Sequence, residues 1–233
     1  MIPDQNRPKI IITGKTRTTP VLDQLASRLS GLFQVEIRPF DCLVPKCFSK
    51  SRTPGAKAVS IAHYLTSTVE VPDDTAFILG IGFTAEKLQW NDQKTGEELL
   101  CPDTKIHLDE MITKLSGYDY LLNVGCSLLT TRTSVTNGFI VEENLCVRSL
   151  SKEERNEFVE SIPKARLGKV GPVFPFRETD EWTRLLTEPE PDIEIITDRI
   201  LRQLSEHFKK EENPLGERLL KTLVPTDESK LSA

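Results

Sequence analysis

The stretch Lys9-Ile-Ile-Ile-Thr-Gly14 decides the fold class, because it is a short, apolar, β-branched run that ends in glycine. Such a run predicts a strand that is buried on both faces, as in a parallel sheet. Leucines then recur at helical spacing at positions 22, 25, 29 and 32, so residues 19–31 are predicted to form an amphipathic helix that stops at Gly31. A buried strand followed by an amphipathic helix is the start of an α/β domain.

The same alternation continues along the chain. The predicted strands are 33–39, 76–82, 118–129 and 138–148, and the predicted helices are 55–66, 104–115, 151–161 and 193–208. The last two strands are expected to pair antiparallel, and residues 89–97 to form a hairpin or an extended loop. The pattern therefore predicts one α/β domain over residues 1–208, with a mixed twisted sheet flanked by helices, and a charged, flexible tail over 209–233.

Composition narrows the function classes. Of 233 residues, 38% are hydrophobic and 28% are charged, which is typical of a globular protein. The net charge of −5 argues against nucleic acid as the main partner, since phosphate backbones require a basic surface. No apolar run reaches the roughly 20 residues of a membrane span, and no secretory signal precedes the first strand. Five cysteines without framework spacing predict reduced thiols, and the protein is expected to be cytoplasmic.

The first turn, Thr13-Gly-Lys-Thr-Arg-Thr-Thr19, brings glycine, hydroxyl groups and two cations to a helix N-terminus. Backbone N–H groups and the helix dipole at such a turn can hold a phosphate. The turn lacks the second glycine of a Walker A loop, and it is not a Gly-x-Gly-x-x-Gly fingerprint. A polar turn whose threonines cap the helix is the alternative interpretation.

Other candidates carry weaker signals. Gly80 and Gly82 are predicted to end their strand, either to admit a ligand closely or because a strand terminus needs unusual backbone angles. The pair Asp73-Asp74 is a metal-binding pair or, more typically, a solvated turn. Cys126 follows a glycine in a predicted strand, where a cysteine usually fills the core.

Several segments carry a family resemblance when they are taken in order. They are Lys9–Thr16, Ala56-Lys-Ala58, Pro102 to Leu115-Ser-Gly117, Leu150-Ser-Lys-Glu-Glu to Val159, and Gly168-Lys-Val-Gly171. Over residues 9–176 the chain resembles the Maf family of nucleoside triphosphate pyrophosphatases, which are related in fold to the inosine triphosphate pyrophosphatases. The resemblance implies their mixed α/β fold, Mg²⁺- or Mn²⁺-dependent conversion of a nucleoside triphosphate to monophosphate and pyrophosphate, and a homodimer.

The chain departs from this family at the positions that carry its chemistry. Gly82 stands at the position of the family's essential aspartate, Cys101 at that of a lysine and Tyr120 at that of a histidine. Hydrolysis of this kind uses carboxylates to hold the metal ion and to activate water, and cations to stabilise the departing pyrophosphate. The chain is therefore predicted to lack catalytic residues, unless Asp73 or Asp92 substitutes for the missing carboxylate.

Three functions remain open from the sequence. The first is a Maf-like protein with lost or reduced catalysis that acts by binding a nucleotide or a protein. The residues expected to contact phosphate are Lys15, Thr16, Arg17 and Lys57. The second is an active pyrophosphatase that uses Mg²⁺ or Mn²⁺ to cleave dTTP, UTP, CTP or a modified nucleotide. The third is a protein-interaction module whose cleft is filled by Phe83 and Tyr120.

Overall fold

A computed structural model describes residues 7–15, 19–40, 53–88, 94–98, 104–115, 119–146, 150–161 and 193–221. Its strands are β1 (Lys9–Lys15), β2 (Gln34–Phe40), β3 (Thr75–Leu88), β4 (Lys94–Glu98), β5 (Asp119–Thr130) and β6 (Val135–Cys146). Its helices are α1 (Thr19–Leu29), α2 (Pro54–Thr68), α3 (Lys105–Leu115), α4 (Lys152–Ser161), α5 (Ile193–Lys210) and α6 (Leu215–Leu220). The turn at Gly168–Gly171 lies outside the described residues.

The strands form one mixed sheet in the order β2-β1-β3-β5-β6, with β4 paired to β3. β1 runs parallel to both β2 and β3, whereas β3 runs antiparallel to β4 and β5, and β5 runs antiparallel to β6. The predicted mixed α/β architecture, a mixed sheet flanked by helices, is therefore confirmed, and the sheet has six strands. The antiparallel pairing of the last two strands is confirmed as well.

β3 is twice as long as predicted. It passes through Gly80 and Gly82 and continues to Leu88, with β5 paired along it as far as Lys87 and β4 on its other edge. The prediction that the strand ends on the two glycines is wrong, because neither glycine has the positive φ of a turn and both stay in the ladder. The hairpin expected after this strand is present as β3–β4.

The main core lies between α1, α5 and one face of the sheet. Its members are buried aliphatic residues from both helices, together with alternate residues of β1, β3 and β5. Three aromatic rings join the layers: Phe77 of β3 lies 5.2 Å from Phe208 of α5 and 5.9 Å from Phe33. Because strand side chains alternate between faces, the other residues of each strand face α2.

The α3–α4 pair shows one helix start that the sequence predicted well. Ser151, with Glu154 three residues further on, has the sequence spacing that predicts a capping box. Ser151 accepts the Glu154 N–H, and Glu154 accepts the Ser151 N–H in return, so this prediction is confirmed. In α3 the hydrophobic spacing of the sequence predicts Ile106 and Ile112 as core positions. Ile112 is buried as predicted, but Ile106 is 70% exposed, so its assignment to the core is wrong. Leu108 takes that place on the buried face.

The C-terminal end of the described chain is packed. α6 returns onto α5, with Leu215 and Leu219 buried, and Ser205 donates a hydrogen bond of 2.7 Å to the Gly216 carbonyl oxygen. Part of the segment expected as a tail is therefore helical, and residues 222–233 lie outside the described residues. Across the described ranges, no helix has both the length and the apolar composition that a membrane crossing requires.

Glu36 on the edge strand β2 gives a prediction about pH. Its carboxylate accepts a hydrogen bond from Arg38 and pairs with the Lys9 ammonium at 3.2 Å, and these contacts hold the Glu36 pKa below its ordinary value of 4.5. The stabilisation is therefore present above about pH 4.5 and is lost as the pH falls through the lower pKa of the folded state. We expect Glu36→Gln to destabilise the protein near neutral pH, by an amount that vanishes in acid.

Urea denaturation of the wild type and of Glu36→Gln between about pH 7 and about pH 3 measures this difference. The exposed Glu153, replaced by glutamine, serves as the control. A difference between wild type and Glu36→Gln that stays constant across this range would contradict the prediction.

Candidate functional site

Helix α2 lies with its backbone directly on the sheet. A Cβ atom added at Gly80 would stand 2.3 Å from the Ala62 carbonyl oxygen, and one at Gly82 would stand 2.4 Å from the Ala58 carbonyl oxygen. One added at Gly125 would stand 2.1 Å from the Ala58 carbonyl carbon. Real Cβ atoms do not approach other atoms this closely, so these positions accept only glycine while α2 keeps its place.

Position 82 is therefore covered by a helix. The interpretation of Gly80 and Gly82 as a place where a ligand approaches a strand end is wrong, because α2 occupies the space above both residues. The alternative of unusual backbone angles is wrong as well, since neither glycine has a positive φ. The glycines serve close packing of helix on strand, which is a further reason for glycine inside a strand.

The carboxyl end of β1 lies where an open α/β sheet places its ligands. After β1 the chain passes to α1 on one face of the sheet, and after β2 it passes to α2 on the other. Ligands of open α/β sheets bind in a crevice outside the carboxyl ends of the strands, at the point where the strand order reverses. In the order β2-β1-β3 that point lies between β1 and β3, beside Lys15 at the end of β1. Lys15 and Phe40, which are register partners, are the last residues of β1 and β2.

Two of the four predicted phosphate contacts lie near this crevice. The Lys15 ammonium stands 5.9 Å from the centre of the Phe40 ring, and that ring packs edge-on against Tyr64 of α2 at 6.0 Å. Lys57 is half-buried in the first turn of the same helix, on the side that Tyr64 also occupies about two turns further on. Thr16 and Arg17 lie outside the described residues.

The N-terminus of α2 contributes charge to this region. Thr53 caps the helix by accepting the Ala56 N–H at 3.3 Å, Pro54 begins it, and its first turn holds no acidic residue. The helix dipole therefore adds a positive partial charge to that of Lys57. A negatively charged group at this end of α2 is favoured electrostatically.

Beyond the start of α2, three buried polar residues form what we call the polar floor: Thr84, Glu86 and Asn123. All three lie on the α2 face of the sheet, since Thr84 and Asn123 are register partners and Glu86 is two residues further along β3. Thr84 donates a 2.7 Å hydrogen bond to the Pro54 carbonyl oxygen. Glu86 accepts the N–H of Gly96 at 2.6 Å, where a positive φ of 74° suits glycine.

An ion pair crosses above the polar floor. Lys94 of β4 contacts Glu142 of β6, although β3 and β5 separate these two strands. In a flat sheet three strand spacings separate the two strands by about 14 Å, a distance that an extended lysine and an extended glutamate side chain together nearly bridge. Both side chains are substantially exposed, and such a pair contributes only about 0.2–1 kcal/mol.

The other sequence candidates fall elsewhere. Asp73 lies exposed in the turn before β3, at the opposite end of that strand from Glu86, so its assignment as a substitute carboxylate is wrong. Phe83 and Tyr120 are buried in the core on the α5 face, so they do not fill a cleft on the α2 face. Asp92 and Cys101 lie outside the described residues.

Cys126 is buried in the core, as predicted. Burial raises the pKa of its thiol well above the ordinary value of 9.0. A thiol in this state is a poor nucleophile, because the thiolate is the reactive form.

The described residues do not fit a divalent metal ion. In the ranges that the structure covers, no three His, Cys, Asp or Glu residues come together as ligands. The polar floor holds one carboxylate, Glu86, beside an amide and a hydroxyl group. Mg²⁺ and Mn²⁺ prefer several oxygen ligands, including carboxylates. The polar floor supplies only one carboxylate.

The polar floor has a signal in the sequence only if β3 continues past Gly82. Gly82, Thr84 and Glu86 alternate with Phe83 and Ala85, which is the period of a strand with one polar face. A strand that ends at Gly82 excludes Thr84 and Glu86, so the prediction placed neither residue in the sheet. Asn123 carries no comparable signal, since its position depends on the register between β3 and β5.

No known protein family matches the chain, and no curated protein matches it at a significant level.

Proposed function

We propose that this protein is a Maf-like nucleotide-binding protein with lost or reduced pyrophosphatase activity. The phosphates are held at the carboxyl ends of β1 and β2 by Lys15, Lys57 and the positive end of α2, together with Thr16 and Arg17. The observation that carries the proposal is the reversal of strand order beside the carboxyl end of β1, with one lysine at the end of β1 and another in the first turn of α2. The Maf-like segments of the sequence supply the ligand class.

Two observations support weak or absent hydrolysis. The position that corresponds to the family's aspartate carries Gly82 and is covered by α2, so a carboxylate has no space there. The described residues also do not assemble a metal site. Hydrolysis without a carboxylate to place the metal ion and the water would lose its largest sources of rate.

A second candidate function, an active Mg²⁺- or Mn²⁺-dependent pyrophosphatase, is favoured by one observation. Glu86 lies on the same face of β3 as Gly82, four residues further along, and provides a buried carboxylate near the start of α2. This enzyme would use Glu86 where the family uses its aspartate. We also propose the partners that the Maf-like assignment implies. They are a nucleotide, a divalent metal ion if the protein is active, and a second copy of the chain or another protein.

Binding of nucleoside triphosphates tests the proposed function. We expect the wild-type protein to bind a nucleoside triphosphate, and Lys57→Ala to weaken that binding about tenfold or more, because a charged hydrogen bond to phosphate is lost. Isothermal titration with dTTP, UTP, CTP and GTP, with and without Mg²⁺ or Mn²⁺, measures the affinity. Pyrophosphate release is measured in the same samples.

Lys210→Ala is the matched control, since Lys210 is an exposed lysine at the far end of α5. Binding without pyrophosphate release supports the leading proposal, and metal-dependent release supports the active enzyme. Absence of both binding and release would reject both proposals and leave the protein-interaction module.

A further inference from the structure

The Phe40 ring lies beside the ammonium group that the proposed function assigns to phosphate. Lys15 and Phe40 are register partners at the ends of two adjacent strands, so their side chains leave the sheet on the same face. The Lys15 Nζ atom stands over the Phe40 ring, 5.9 Å from its centre. A cation within about 6 Å of the centre of an aromatic ring is attracted to its face. The ring therefore restricts the lysine side chain at the strand end.

Tyr64 of α2 restricts the Phe40 ring in turn. The two ring centres are 6.0 Å apart and the rings are inclined at 85°, which is the edge-to-face arrangement that aromatic pairs favour. Both rings are half-buried. Because Tyr64 belongs to the helix whose first turn carries Lys57, the ring pair connects the two lysines of the proposed phosphate site.

We infer that Phe40 is a positioning residue for phosphate binding: it holds the Lys15 ammonium group at the carboxyl end of β1, and Tyr64 holds Phe40. The inference rests on the proposed function, in which Lys15 contacts phosphate. Lysine has a long side chain that loses much rotamer freedom when it becomes ordered. A lysine that is already ordered in the free protein loses less of that freedom on binding, which raises the affinity for the ligand.

The contact with the ring and a contact with phosphate are compatible. An ammonium group has three N–H donors that point in different directions, and an aromatic face covers only one side of it. Lys15 can therefore keep its place over Phe40 while it donates a hydrogen bond to a phosphate oxygen. Phe40 acts through Lys15 in this arrangement and contacts no part of the ligand.

Phe40→Leu removes the ring and keeps an apolar side chain. We expect this variant to bind inorganic tripolyphosphate and dTTP about twofold to fivefold more weakly than the wild type, which is the loss expected for one half-exposed cation–π contact. Phe40→Tyr keeps the aromatic face, so it should bind both ligands as tightly as the wild type. Isothermal titration measures the affinities.

A double-mutant cycle with Lys15→Met gives a readout that a merely structural role would not change. Methionine removes the ammonium group and keeps an unbranched side chain. If Phe40 acts through Lys15, Phe40→Leu weakens binding in the wild-type background and changes nothing in the Lys15→Met background. A ring that stacks on the base would instead weaken dTTP binding in both backgrounds and leave tripolyphosphate binding unchanged.

Phe139→Leu is the matched control, since Phe139 is a half-buried phenylalanine on β6, at the opposite edge of the sheet order. It should leave the affinity for tripolyphosphate unchanged. Circular dichroism and thermal melting establish that each variant is folded. If Phe40→Leu does not fold, Tyr64→Leu replaces it in the cycle, because loss of the Tyr64 ring releases Phe40 and is expected to weaken binding in the same way.

The outcomes separate this inference from the proposed function. Wild-type protein that binds neither dTTP nor tripolyphosphate would reject the proposed function. Wild-type protein that binds them, with a folded Phe40→Leu variant that binds equally well or that loses the same affinity in both backgrounds, would overturn this inference alone. A Phe40→Tyr variant that binds as weakly as Phe40→Leu would overturn it as well.

Discussion

Replacing Gly82 by aspartate is expected to unfold the domain, and it is not expected to restore hydrolysis. The family resemblance alone would suggest the opposite, since this change returns the missing carboxylate. In the structure, however, the new Cβ atom would stand 2.4 Å from the Ala58 carbonyl oxygen and 2.9 Å from the Ala62 amide nitrogen. Both are backbone atoms of α2, so relief requires displacement of the whole helix.

The expected sizes follow from packing and charge. Gly82→Ala introduces only the steric overlap and is expected to cost about 1–3 kcal/mol. Gly82→Asp adds an unpaired charge beneath a helix, which costs several kcal/mol more. Since domains of this size are stable by about 5–15 kcal/mol, the aspartate variant is expected to lose most of its folded population.

Urea denaturation of both variants measures these effects. Gly31 is the matched control, because a Cβ atom added there meets nothing within 4 Å, and Gly31→Ala and Gly31→Asp should change stability by less than about 0.5 kcal/mol. A Gly82→Asp protein that is as stable as the wild type and releases pyrophosphate with Mg²⁺ would show that α2 does not cover this position.

Replacing Phe208 by alanine is expected to destabilise the protein by about 3–5 kcal/mol. The Phe208 ring is 1% exposed and packs against Phe77 at 5.2 Å and Phe33 at 6.4 Å, so its removal leaves a cavity between α5 and the sheet. The effect tests whether α5 is part of the domain core, since Phe208 is the last residue of the domain that the sequence predicts.

Leu220→Ala is the control for Phe208→Ala. Leu220 is also apolar and lies near the end of the described chain, but it is 37% exposed, so its truncation should cost less than about 1 kcal/mol. Thermal or urea unfolding of the two variants compares them directly. Equal, small effects would show that α5 is not anchored in the core.

The sequence predicted the existence and type of most helices and strands, but it placed the end of β3 at the wrong residue. The β1–α1 pair and the capping box of α4 depend on residues close together in the sequence, so the sequence predicts them well. The prediction that β3 ends at Gly82 is wrong, because glycine after an apolar run usually marks a turn. Here glycine is required at positions 80 and 82 because the backbone of α2 packs directly on them. The residues that neighbour these glycines in the sequence do not predict that contact.

Some residues of the candidate site could be predicted from the sequence and others could not. Lys15 and Lys57 were accessible from the sequence, because each stands beside a predicted strand end or helix start. Glu86 and Asn123 were not, since they approach each other only through the pairing of β3 with β5. Residue pairs of this kind are far apart along the chain, and a single sequence contains no signal for their register.

The sequence by itself determined the class of fold, because hydrophobic periodicity and glycine placement fix which segments become strands and helices. It also determined the lack of a carboxylate at position 82, which is a matter of residue identity. Only the tertiary structure decided that α2 covers this position. It also decided that a buried carboxylate, Glu86, lies on the same face of β3, two residues beyond the register pair Thr84–Asn123. The physical reason is that backbone contact between helix and sheet depends on the summed geometry of many residues, which local preferences do not specify.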